Sequence, residues 1–96
     1  MLFYVNMTVS IPYAADPQEI KRLSAQEVER AAELHRLGKW LHVWRVVGKW
    51  SNVSIFEVDT PTELHELLGS LPLYPFMEIE VTSLCEMHPA ASKQGK

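Results

Sequence analysis

Residues 39–58, KWLHVWRVVGKWSNVSIFEV, predict two neighbouring strands joined by a tight turn. In the first strand, residues 39–47, alternation predicts two opposite faces: Trp40, His42, Trp44 and Val46 on one, and Leu41, Val43, Arg45 and Val47 on the other. Gly48 and Lys49 supply the turn, and the next strand follows over roughly residues 51–58. The middle of the chain is therefore expected to form a β-hairpin.

A helix is predicted on each side of this hairpin. Residues 16–38 begin with Asp16 as N-cap and Pro17 at the first helical position, and Gly38 ends the pattern. Residues 60–63, TPTE, repeat the start signal as a capping box before a shorter, leucine-rich helix. The hairpin is thus expected to separate two helices.

The outer segments predict one more strand at each end. Residues 2–11 alternate with a period of two until Pro12, and residues 76–84 follow a loop bracketed by Pro72 and Pro75. The order β-α-β-β-α-β predicts an α+β, ferredoxin-like fold, in which a four-stranded antiparallel sheet carries both helices on one face. We expect one domain over residues 1–96, with 88–96 a polar C-terminal tail.

The other face of such a sheet has no helix to cover it. Several strands carry apolar side chains on both faces, and the hairpin alone contains Trp40, Trp44 and Trp50. Apolar surface of that extent is normally buried against another molecule. The sequence therefore predicts a homo-oligomer.

Composition excludes several classes of protein. With 47% hydrophobic residues, 22% charged residues and a net charge of −3, the chain is an ordinary globular one with no basic run for nucleic acid. Cys85 is the single cysteine, and the four histidines lack ligand spacing, so we expect no disulfide and no metal site. No signal peptide, membrane span or nucleotide-binding motif is recognisable, which predicts a soluble cytoplasmic protein.

Glu27 interrupts the apolar stripe of the first predicted helix. Positions 20, 23, 27, 31 and 34 share one face, and the others are Ile, Leu, Ala and Leu. Burial raises the pKa of a carboxyl, which suits it to proton transfer near neutral pH. Two interpretations are open: a catalytic acid/base, or a buried Glu held by an Arg for structural reasons.

Arg45 is the matching cation, in an otherwise apolar strand. Its partner is either Glu27 or the carboxylate of a ligand. His42, Asn52 and Ser54 are further polar candidates on the strands, although each residue type is also common there without a function. A carboxyl and a cation in one cleft favour a small organic anion as substrate and proton transfer beside a carbonyl, without a metal.

The chain as a whole resembles the muconolactone delta-isomerase family. The resemblance lies in residues 1–12 (MLFYVNMTVSIP), 25–29, 38–45 (GKWLHVWR), 48, 52–58 (NVSIFEV), 63–65 and 71–81 (LPLYPFMEIEV). The strings WxxxWR and LPLxPxM, taken together, are specific to this family. The resemblance implies a ferredoxin-like subunit in a decamer, and cofactor-independent isomerisation of muconolactone to 3-oxoadipate enol-lactone in catechol catabolism.

The resemblance also implies roles for individual residues. Glu27 would move the proton, and Arg45 would hold the substrate carboxylate or stabilise the dienolate oxygen. His42, Asn52 and Ser54 would orient the lactone. Ser24 occupies a substrate-binding position, one helical turn before Glu27, where relatives carry lysine.

The serine at position 24 leaves substrate identity open. The similar chloromuconolactone dehalogenases begin with the same proton abstraction but expel chloride. A third class is a non-enzymatic or haem-binding member of the dimeric α+β barrel group, for which His42 or His65 would be the axial ligand.

Overall fold

The computed structural model describes residues 1–87, so the predicted tail at 88–96 lies outside the described residues. Its elements, in chain order, are β1 (Leu2–Val9), α1 (Pro17–Arg36), β2 (Trp40–Arg45), β3 (Ser51–Glu57), α2 (Pro61–Gly69), a 3₁₀ turn (Tyr74–Phe76) and β4 (Met77–Leu84). The predicted order of strands and helices is confirmed. The 3₁₀ turn is an addition, within the loop expected around Pro72 and Pro75.

The four strands form one antiparallel sheet in the order β2-β3-β1-β4. The first and third strands pair at its centre, and the second and fourth form its edges. This is the ferredoxin-like arrangement that the sequence predicts. Among the described residues, no helix is long and apolar enough to cross a membrane.

Both helices begin where the capping signals predict. The Asp16 carboxylate accepts the Gln18 N–H at 3.0 Å, and the Thr60 hydroxyl accepts the Glu63 N–H at 3.1 Å. Such caps satisfy N–H groups that lack a partner inside the helix, and each stabilises a helix by about 1 kcal/mol. These local bonds fix where α1 starts, and hence where Glu27 lies along it.

The core lies between the helices and one face of the sheet. Phe3, Val5 and Met7 of β1 point to this face and are buried, as the alternation predicts. They pack in one cluster with Leu34 of α1 and Leu64 of α2. Full burial of each such side chain contributes about 1.5–3 kcal/mol, which holds both helices against the same side of the sheet.

The predicted faces of β2 are wrong at its beginning. Trp40 pairs with Phe56, but the next pair is His42 with Ile55, so one extra residue is inserted between them. Such a bulge reverses the alternation locally. Trp40 therefore lies on the helix-covered face with Val43 and Arg45, and it is buried, whereas His42 lies on the opposite face.

The first three strands end earlier than predicted, whereas β4 ends at Leu84 as predicted. β2 stops at Arg45, and the Lys49 N–H then donates to the Val46 carbonyl at 3.1 Å to close the turn. Gly48 has a φ of +81°, a conformation that glycine adopts without strain. The predicted hairpin is thus present, with a longer turn.

The described residues leave the sheet face opposite the helices uncovered. Trp44 projects from it with 57% of its surface exposed. Tyr4, Val53 and Ile55 from the two central strands share this face and are half-buried. The open face therefore carries a group of apolar side chains on its central strands and on β2, the kind of surface that self-association buries.

Candidate active site

A cavity of about 520 Å³ lies between α1 and the helix-covered face of the hairpin. Its volume is in the range typical of small-molecule sites. Its lining residues are Val9, Ser24, Glu27, Val28, Ala31, Ala32, His35, Trp40, Val43, Arg45, Trp50, Asn52, Leu73 and Met77. The walls are mostly apolar, with a few polar groups converging on the space.

Glu27 is the carboxyl of this cavity. It lies midway along α1 and is half-buried, and its Oε1 accepts the backbone N–H of Leu73 at 3.0 Å. Burial raises the pKa of Glu27 above its usual 4.5, because the charged form loses hydration, and the Leu73 hydrogen bond opposes this by stabilising the carboxylate. The result is a carboxyl that holds its proton more firmly than an exposed one but is still tied in place.

The structural alternative for Glu27, a buried ion pair with Arg45, is not what the structure shows. Within residues 1–87 the ion pairs are Met1 with Glu57, Arg22 with Glu19, Arg30 with Glu33 and Lys39 with Glu63. The Arg45 guanidinium instead donates to the Lys49 carbonyl at 3.4 Å, a long bond. Glu27 and Arg45 thus line one cavity without being paired in it.

Asn52 and Ser54 occupy different depths on the same strand face. Asn52 lies directly opposite Arg45 in the β2–β3 register and lines the cavity. Ser54 is fully buried, and its hydroxyl donates to Asn52 Oδ1 at 2.8 Å. Ser54 therefore reaches the cavity only through Asn52, whereas Ser24 lines it directly from α1.

The structure does not bring His42 to this cavity. The bulge in β2 turns His42 to the open face, where its ring stacks on Trp44 with centroids 5.5 Å apart. Four of the six predicted positions therefore converge: Ser24, Glu27, Arg45 and Asn52. Among the described residues, no group of three or more His, Cys, Asp or Glu side chains could hold a metal ion.

The sequence did not locate two features of the cavity, the hydrogen bond that holds Glu27 and the strand face on which Trp40 lies. The Leu73 N–H reaches Glu27 across 46 residues of chain, and no sequence signal identifies which backbone amide faces a distant carboxyl. Trp40 lies between His35 and Phe56, with ring centroids 5.1 and 4.9 Å away. The sequence does not reveal the bulge next to Trp40. Without that bulge, alternation places Trp40 on the face of His42 and Trp44 instead of the face of Val43 and Arg45.

Together these groups can move a proton within a bound anion. A carboxyl of raised pKa can accept and return a proton, while a guanidinium and a carboxamide are suited to hold carboxylate and carbonyl oxygens.

Comparison with known proteins places the chain in a family. The muconolactone delta-isomerase family profile matches residues 1–91. A muconolactone delta-isomerase of Pseudomonas aeruginosa is 46% identical over 91 residues, 95% of this chain and 94% of the relative. One of Rhodococcus opacus is 48% identical over 83 residues, 86% of this chain and 89% of the relative.

Solved structures agree with the sequence comparison. A crystal structure of muconolactone isomerase superposes with a TM-score of 0.86 at 47% identity, covering 94% of this chain and 93% of the other. A putative antibiotic biosynthesis monooxygenase from Deinococcus radiodurans, with a TM-score of 0.50 at 11% identity, shares the fold alone. The chain belongs to the muconolactone delta-isomerase family.

Proposed function

We propose that this protein is a muconolactone delta-isomerase, which converts muconolactone to 3-oxoadipate enol-lactone in the catabolism of catechol. The observation that carries the proposal is Glu27, a half-buried carboxyl of raised pKa facing a cavity that also contains Arg45 and Asn52. The names of the family and of its relatives supply the substrate.

The reaction requires only that one proton change position. Ionised Glu27 removes the proton from the ring carbon that bears the ring oxygen and the carboxymethyl arm. The electron pair left behind spreads through the conjugated lactone to the carbonyl oxygen as a dienolate. Protonated Glu27 then returns the proton to the carbon next to the carbonyl, so that no atom is gained or lost and no cofactor is needed.

The raised pKa of Glu27 suits both halves of this cycle. A carboxyl whose pKa stays at its usual value is a weak base toward carbon, whereas partial desolvation makes the carboxylate more basic. The Leu73 N–H holds Oε1, which leaves the second carboxyl oxygen for the substrate. We therefore assign proton transfer to the oxygen that is not bonded to Leu73.

Arg45 and Asn52 are proposed to hold the two oxygenated ends of the substrate. The guanidinium of Arg45 is suited to the carboxymethyl carboxylate, because it presents several N–H donors in one plane. The Asn52 amide, beside it in the sheet, is suited to the carbonyl oxygen where negative charge develops.

A paired assay on the purified protein tests the proposal. Muconolactone isomerisation is followed by ultraviolet absorbance, and 5-chloromuconolactone is followed by chloride release. Because Ser24 lines the cavity at a position where the family resemblance implies a lysine, the dehalogenase is the competing function. Isomerisation faster than chloride release supports the isomerase, the reverse order supports the dehalogenase, and inactivity toward both lactones contradicts the proposal.

We also propose that the protein is a cytoplasmic homo-oligomer, with a decamer as the expected assembly. The exposed Trp44 and the open sheet face support self-association. Ten chains of 11.0 kDa would have a mass of about 110 kDa. Light scattering tests the assembly, and a monomeric mass would contradict it. Fractionation of the source cells tests the cytoplasmic location.

A further inference from the structure

Ser54 is a polar residue buried at a position of the sheet where its neighbours are apolar. It lies in the middle of the sheet with Val5 of β1 and Val43 of β2 as its neighbours, and its exposed fraction is 0%. A hydroxyl in such a place loses its hydration and must find a partner inside the protein. Its partner is a side chain of the cavity, Asn52, rather than the backbone.

In the structure this bond is made by the oxygen of the Asn52 carboxamide, not by its nitrogen. The Ser54 hydroxyl lies 2.8 Å from Oδ1, and two acceptor oxygens can share a hydrogen bond only if the hydroxyl donates. Oδ1 and Nδ2 point in divergent directions from the same carbon, so fixing Oδ1 on Ser54 turns Nδ2 away from it. Within residues 1–87 Nδ2 makes no hydrogen bond, and Trp40 Nε1 is the sole buried polar side-chain atom without a partner. The Nδ2 group therefore keeps its accessibility, on a residue that lines the cavity.

We infer that Ser54 is a positioning residue that holds Asn52 with its N–H₂ group toward the cavity, so that Asn52 donates to the substrate's carbonyl oxygen. The inference rests on the proposed isomerase reaction. A carboxamide turned the other way would present Oδ1, which repels the negative charge that develops on that oxygen. The donor is thus in place before the substrate arrives, and it acts most strongly on the charged dienolate.

Ser54→Ala tests the inference, with Ser51→Ala as the matched control. Ser51 is also buried in β3, but it lies on the opposite face and bonds to the Thr8 hydroxyl at 2.9 Å. Both variants lose one buried hydroxyl bond. We expect Ser54→Ala to lower kcat about five- to tenfold, the effect of one hydrogen bond, with a smaller change in KM. Ser51→Ala should leave both constants within about twofold.

A double-mutant cycle separates positioning from a general structural effect. If Ser54 acts through Asn52, then Ser54→Ala will change nothing further in an Asn52→Ala background. An equal loss in both backgrounds, or no loss in either, would overturn the inference. Circular dichroism and light scattering of each variant establish that the fold and assembly are unchanged.

A second readout does not depend on the reaction. Asn6 and Asn52 are the two asparagines of the chain, so selective ¹⁵N-asparagine labelling gives two side-chain amide signals. Relaxation of the Asn52 signal should show greater motion in Ser54→Ala, while the Asn6 signal stays unchanged. If the parent protein does not turn over muconolactone, the proposed function fails. This measurement still tests whether the Ser54 hydroxyl restrains the Asn52 side chain. Equal motion in both proteins would overturn the inference.

Discussion

Glu27→Gln and Glu27→Ala are expected to differ sharply in stability. Glutamine keeps a carbonyl oxygen that can accept the Leu73 N–H, now 3.0 Å from the carboxyl, and it carries no charge to desolvate. Alanine removes the acceptor. Leu73 is only 3% exposed, so its N–H is then left without a partner in the interior. An unsatisfied buried donor costs about 1–3 kcal/mol, and we expect that difference between the two variants.

The dependence of stability on pH shows whether the negative charge of Glu27 stabilises or destabilises the folded protein. Because burial raises the pKa of Glu27 in the folded state, the folded protein binds this proton more tightly than the unfolded chain. Protonation of Glu27 therefore stabilises the folded protein fully at pH values below the usual carboxyl pKa of 4.5. This contribution is lost as the pH rises through the folded-state pKa of Glu27. Glu27→Gln should therefore exceed the parent protein in stability at neutral pH, and this advantage should vanish under acidic conditions.

Urea denaturation at one fixed protein concentration measures both effects, since the stability of an oligomer depends on concentration. Unfolding free energies of the parent and the two variants are compared at pH 7.5 and at about pH 4, near the usual carboxyl value. If glutamine destabilises the protein as much as alanine does, the Leu73 hydrogen bond does not stabilise the folded state. If the advantage of glutamine is the same at both pH values, the raised pKa is wrong.

Three further predictions concern substrate binding, proton transfer and assembly. Arg45→Gln should raise KM for muconolactone about tenfold or more in steady-state assays, because a charge-assisted hydrogen bond is lost, and an unchanged KM would remove Arg45 from the site. The kcat/KM of the parent protein should fall on the acid side with an apparent pKa above 4.5, and a limb at or below that value would contradict a desolvated base. Trp44→Glu should reduce the mass seen by light scattering toward 11.0 kDa, while Trp44→Phe should not, and equal masses would exclude this face from the interface.

The fold was predictable because its signals are local. Asp16 and Thr60 form caps with residues two or three positions away, and Phe3, Val5 and Met7 follow a simple alternation. These patterns determine the helix starts and the buried face of β1 without any knowledge of tertiary contacts. The element order followed from them, and so did the ferredoxin-like sheet.

The site was predictable only in part, since several of its features depend on tertiary structure. The stripe on α1 identified Glu27, but the Leu73 N–H that holds it comes from a loop far along the chain. Asn52 and Ser54 were both candidates on the predicted strand, but the sequence could not distinguish the residue that lines the cavity from the one behind it. Alternation placed His42 on the same face as Trp40, which is wrong because a bulge inserts one extra residue between them. No residue near Leu41 signals this bulge in the sequence.

The most direct test of the central claim is the turnover of muconolactone by purified Glu27→Gln beside the parent protein. Glutamine fits the same space and keeps the Leu73 bond, but it cannot accept or return the proton. We predict a fall in kcat of about 10²–10⁴-fold with the assembly intact, the usual contribution of a general acid/base. A variant that retains activity within about tenfold of the parent protein would show that another group moves the proton.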